Sequence, residues 1–242
     1  MKVSERINLD YNGLIQHGPI NIVALGDSVT HGAVGPGEID YESVFHNRLK
    51  KKILGVRNYV PVNIINAGIG GTTAKVAVGR LDSQVFAHNP DLVIICFGLN
   101  DVNGSLEEYI DSLRIIFNRC KKEKVDAIFM TPNMLNTCVP EDTAPDLKDY
   151  AKKTADMQNS GRMDEYIYSA IDLAKELDIT VCDCYTKWKE LSLKQNITYL
   201  LANRINHPVR DAHELFAQML FRCIFPSEVK TDDTKSSTMW QE

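Results

Sequence analysis

A chain of 242 residues, 44% hydrophobic and 24% charged, has the composition of an ordinary globular protein and is long enough for one core to hold it without disulfides or a structural metal. Its net charge is −5 and its longest basic run is Lys50, Lys51 and Lys52, so the footprint that follows a phosphate backbone is missing and nucleic acid is not an expected partner. No stretch approaches the ~20 apolar residues of a membrane span and the opening residues mix charges, so no membrane span and a cytoplasmic residence are expected.

In chain order, five short apolar runs ending in turn residues read as buried strands: 21–26, 62–68, 91–98, 126–131 and 179–185. Between and after them, helical spacing marks 41–54, 72–88, 105–123, 161–178 and 208–224. Strands alternating with helices imply right-handed crossovers, hence an α/β fold with a five-stranded parallel sheet in a three-layer α/β/α sandwich. Residues 132–160 are longer than a usual connection and contain a stretch, DLKDYAKKTADMQ, that is itself compatible with a helix. They either shape a binding site or decorate the surface. Residues 1–225 are expected to form a single domain, and the polar, patternless segment 226–242 a fraying tail. The cysteines, Cys96, Cys120, Cys138, Cys182, Cys184 and Cys223, read as reduced thiols; Cys182 and Cys184 are expected to share one strand face as core residues.

Four segments carry chemistry. The first strand runs into GDSVTHG (26–32), which puts Ser28 beyond a strand's carboxyl end, where open α/β sheets place their ligands. There its hydroxyl lies near free backbone N–H groups; the plainer alternative is that Ser28 and Thr30 only cap a helix. NAGIGGTTA (66–74) brings glycines that let the backbone approach a ligand, although it fits neither phosphate-loop pattern. FGLND (97–101) offers the Asn100 amide as a donor to an oxyanion, while Asp101 is equally suited to fixing the loop. NRINHP (203–208) supplies His207, the residue type suited to moving a proton near neutrality. His213 reads as a packing or capping residue, and the histidines and cysteines show no metal-ligand spacing, so neither metal nor cofactor is expected.

Taken together, GDSVTHG, IGGTT, GLND and NHP resemble, in order and spacing across residues 26–207, the four blocks of the SGNH (GDSL-like) hydrolases. The resemblance implies a flavodoxin-like SGNH fold and a serine esterase, with Ser28 as nucleophile and His207 as base. The implied oxyanion donors are the Ser28 N–H, the Gly71 N–H and the Asn100 side chain; Gly70 is the neighbouring alternative for the glycine. Asp27 and Asp101 are further candidates for site support. One departure stands out: the family's aspartate three residues before the histidine is replaced by Arg204, which cannot accept an imidazole N–H. A Ser–His dyad is therefore expected, its ring held by a backbone carbonyl near Asn203 or Arg204, or by Asp183 or Asp211.

The expected reaction is ping-pong hydrolysis of an acyl ester, with a small-molecule or carbohydrate ester as partner. A short, acetyl-like acyl group on a sugar is favoured because 132–160 supplies Asn133, Asn136, Asp142 and Asp146 but little apolar surface. The alternatives are a lysophospholipase or acyl-thioesterase of the same kind, a nucleotide- or phosphate-binding module, and a catalytically inactive scaffold that binds.

Overall fold

The computed structural model describes residues 1–35 and 37–227. In chain order its strands are β1 (Ile20–Gly26), β2 (Ala33–Gly35), β3 (Glu38–Ile39), β4 (Val62–Gly68), β5 (Leu92–Cys96), β6 (Asp126–Met130) and β7 (Thr180–Cys182). Five of them form one sheet in the order β4-β1-β5-β6-β7, with every neighbour parallel. In units of the five sheet strands this is 2-1-3-4-5, the flavodoxin-like doubly wound order, whose ligand crevice lies where the winding reverses, between β1 and β5. The central strands β1 and β5 are almost wholly apolar and buried because helices cover both faces. The helix Phe45–Val56 packs with His213–Ile224, and Leu106–Glu123 with Arg162–Glu176. Val23, Ile94 and Ile95 are fully buried between these layers.

The first four strands and the helices near 41–54, 105–123 and 161–178 agree with the sequence reading. Three elements differ. The stretch 72–88 is not one helix but Ala74–Val78, Leu81–Gln84 and a 3-10 turn, Phe86–His88, with the break at Gly79, a poor helix former. The last strand ends at Cys182 because the Asp183 carboxylate accepts the Thr186 N–H (3.0 Å) and starts a new helix, Cys184–Ser192. Cys182 and Cys184 therefore lie on different elements, their sulfurs 3.7 Å apart. The final helix begins at His213, after a 3-10 turn over Arg210–Ala212.

Segment 132–160 does both things expected of it. A buried loop leads into the helix Lys148–Asn159, whose approach borders the site described below. No helix among the described residues is long and apolar enough to cross a membrane. The tail expected from residue 226 falls, beyond Ser227, outside the described residues.

Candidate active site

β1 delivers Ser28 through a turn packed directly on the sheet. A Cβ at Gly26 would stand 2.7 Å from the Cys96 carbonyl oxygen, and one at Gly68 only 2.3 Å from the His31 backbone nitrogen, so both positions require glycine. Ser28 opens the single helical turn Ser28–His31, capped by Asp27, whose Oδ1 accepts the Val29 N–H at 3.0 Å. Asp27 is fully buried and its Oδ2 has no hydrogen-bond partner. Burial pushes its pKa up to about 7, with the Asp101 charge adding to the rise and the Val29 N–H opposing it.

Beyond β4 the chain makes a tight turn, Ile69–Thr72, closed by Thr72 N–H donating to the Ile69 carbonyl at 3.3 Å. Gly71, at φ +75°, occupies the third position, where a type II turn needs a positive φ. The Thr72 carbonyl in turn accepts the Asn100 Nδ2–H at 2.9 Å. That bond orients the amide while leaving its second N–H for a ligand. Asp101 works behind this pair: its two oxygens accept the Ala74 N–H (2.8 Å) and the Gly98 N–H (3.0 Å), tying the glycine turn to the loop after β5. Burial raises the Asp101 pKa to about 6 against these two N–H groups.

His207 arrives from the opposite side, and its Nε2 lies 3.0 Å from Ser28 Oγ. Burial lowers its pKa to about 4, which keeps the ring neutral near pH 7. With Nε2 accepting from the serine, the proton sits on Nδ1, and Nδ1 is buried without a hydrogen-bond partner among the described residues. Neither carboxylate proposed for it is there. Asp183 caps the helix Cys184–Ser192 and also accepts from the Thr186 and Thr131 hydroxyls, while Asp211 lies exposed on the 3-10 turn Arg210–Ala212. The carbonyls near Asn203 and Arg204 do not hold it either. Arg204 itself, at φ +60°, turns its guanidinium onto Asp142 (2.8 Å) and the Leu201 carbonyl (3.1 Å), away from the imidazole.

Ser28, Gly70, Gly71, Asn100 and His207 line one cleft of about 430 Å³, with Ile39, Leu147, Tyr150 and Asp146 among the residues around it. Asp27 and Asp101 do not line it; they accept backbone N–H groups of the adjoining turns, Asp27 that of Val29 and Asp101 those of Ala74 and Gly98. Asn133 and Asn136 do not reach it: both are buried, Asn133 donating to the Met134 and Asn206 carbonyls and Asn136 to those of Cys138 and Ala151. Asp142 is engaged by Arg204, so of the four polar residues expected to meet a substrate only Asp146 lines the cleft. His213 is a core residue, its Nδ1 accepting the Phe45 N–H at 3.2 Å. Sequence reasoning passed over Leu147 and Tyr150, and the side chain of Asn203; an Asn at the head of N-R-I-N-H-P is the local signal for an Asx turn that would have found the last.

A serine hydroxyl against a neutral, half-buried imidazole, beside a glycine turn and an oriented amide at the strand ends of a doubly wound sheet, defines a serine ester hydrolase of the SGNH class. Residues 24–215 match the GDSL-like Lipase/Acylhydrolase family, and the chain belongs to that family. Among solved structures it is similar to an acetylxylan esterase from Geobacillus stearothermophilus, at 22% identity and a TM-score of 0.67 over 85% of this chain and 94% of that one. It is also similar to the lipase/acylhydrolase from Enterococcus faecalis, at 23% identity and a TM-score of 0.65 over 84% of this chain and 94% of the other. At these identities the likeness is one of fold. No curated protein sequence matches the chain.

Proposed function

We propose that this protein hydrolyses short-chain acyl esters, acetyl esters of carbohydrates foremost, through an acyl-serine intermediate. The observation that carries the reading is the 3.0 Å contact between Ser28 Oγ and His207 Nε2, within reach for general-base activation of a nucleophile. Ser28 attacks the ester carbonyl as His207 takes its proton. Charge then collects on the carbonyl oxygen, facing the N–H groups of Ser28 and Gly71 and the free Asn100 amide hydrogen, donors worth about 3 kcal/mol each in comparable oxyanion holes. His207 returns the proton to the departing alcohol, and water repeats the sequence to release the acid.

The substrate preference rests on the cleft. Its walls combine Asn100, Asp146, Tyr150 and Asn203, which offer hydrogen-bonding partners to a polar alcohol, with apolar surface at Ile39, Leu147 and Ile205 that can seat the acyl group. The likeness to an acetylxylan esterase points the same way. Rates on 4-nitrophenyl acetate and octanoate, and acetate release from acetylated xylooligosaccharides, test it: acetyl esters should be favoured by at least ~10-fold, and a preference for octanoate would overturn the acyl assignment. A silent scaffold that binds esters without turnover is favoured by one observation, the partnerless Nδ1 of His207. Absence of any turnover by the wild type would establish that reading instead.

A further inference from the structure

An imidazole that serves as base must be held in register with its nucleophile, and among the described residues no group holds the His207 ring from behind. The backbone around it is held instead. Asn203 Oδ1 accepts three N–H groups, those of Ile205, Asn206 and His207, each at 3.0 Å. Asn203 Nδ2 donates to Asn206 Oδ1 at 2.9 Å, and the Asn206 carbonyl accepts the buried Asn133 Nδ2–H at 2.9 Å. On the other side of the histidine, its carbonyl accepts the Ala202 N–H at 2.7 Å, and Pro208 bridges to Leu201. Proline also restricts the backbone of the residue before it. His207 is thus fixed at its N–H, at its C=O and by its successor, leaving only its side-chain torsions free, and those are limited by burial.

We infer that Asn203 is a positioning residue for the base: its side-chain carbonyl clasps the turn 203–207 and so does, through the backbone, what a carboxylate would do on the ring. The inference rests on the esterase reading above. It also accounts for the arginine at 204. With the clasp one residue earlier, position 204 is released to latch the turn to Asp142 and to the carbonyls of Tyr199 and Leu201. Oδ1 is the only Asn203 atom that meets the His207 backbone N–H, so the role requires an acceptor at this point rather than an amide.

The test is kcat and KM on 4-nitrophenyl acetate for the wild type, Asn203→Ala and Asn203→Asp, with thermal midpoints recorded alongside. Asn203→Ala should lower kcat by up to ~10²-fold, the scale set by a misplaced catalytic group, with a much smaller change in KM because Asn203 is one lining side chain among many. Asn203→Asp keeps the acceptor and should restore kcat to within about fivefold of wild type. A merely structural role predicts neither the kcat-specific loss nor the rescue. Wild-type kcat in Asn203→Ala, or an Asn203→Asp variant as impaired as Asn203→Ala, overturns the inference while leaving the esterase reading intact. If Asn203→Ala does not fold, Asn203→Asp decides alone: near-wild-type kcat upholds the clasp and loss of kcat overturns it. A wild type that neither turns over esters nor is labelled at Ser28 by an organophosphonate removes the esterase reading and the clasp together.

Discussion

Burial alone lowers the His207 pKa to about 4, and among the described residues no carboxylate holds its ring. In the proposed mechanism the base must be neutral to accept the Ser28 proton, so activity should fall as pH drops through the folded-state value, not through the ~6.5 of a free imidazole. The acid limb of kcat/KM should therefore have its midpoint well below 6, near pH 4 to 5, in a pH–rate series from pH 3.5 to 8. A midpoint between 6 and 7 would contradict the description of the ring's surroundings. Arg204 makes the complementary case. Its bonds run to Asp142 and to two carbonyls rather than to the imidazole, so Arg204→Ala should lower stability by about 1 kcal/mol, the usual scale of a partly exposed ion pair, and change kcat by less than about threefold. A loss of kcat comparable to that of His207→Ala would show that position 204 acts on the ring after all.

At the scale of elements, Asp101 joins two of the loops that build the cleft by accepting N–H groups from Ala74 and Gly98. Asp101→Ala leaves both buried donors unpaired, at about 1–3 kcal/mol each. Chemical denaturation should show a loss of roughly 2–6 kcal/mol, with a fall in kcat as Asn100 loses its footing; a loss under about 0.5 kcal/mol would contradict the role. The same loops show where sequence is legible. Strands buried on both faces announce themselves as continuous apolar runs, and the residues at their carboxyl ends follow by topology, which is why Ser28, Gly71 and Asn100 fall together. Side-chain direction does not follow. Asp183 stands at the correct sheet edge, yet its carboxylate is consumed by Thr186 and Thr131. Asn133 and Asn136, polar residues in an insertion, are buried as internal supports rather than displayed to a substrate. Only tertiary hydrogen bonding decides between those fates.

For the whole molecule, the site is assembled on buried titratable groups, and its stability should carry their mark. Asp27 is fully buried with one oxygen unpaired and a pKa raised to about 7. A raised carboxyl pKa favours the protonated folded state, so its contribution is complete below the unfolded value near 4 and is lost as pH rises through about 7. Asp27→Asn removes that ionisation, so its stability relative to wild type should improve between pH 5 and pH 8.5, with a ceiling of roughly 4 kcal/mol for a three-unit shift. Equal differences at the two pH values would contradict a buried, ionising Asp27. His46 and His213 act in the opposite sense. Burial lowers them to about 4 and about 3, so the stability they carry is present above the unfolded value near 6.5 and lost as pH falls toward those values.

The central claim, that Ser28 is an acylated nucleophile activated by His207, is tested most directly by treating the wild type and Ser28→Ala with an organophosphonate and measuring intact mass beside turnover of 4-nitrophenyl acetate. One phosphonyl adduct and steady turnover are expected in the wild type, with both abolished in Ser28→Ala. Turnover and labelling that persist in Ser28→Ala, or a wild type inert to both reagents, would contradict it.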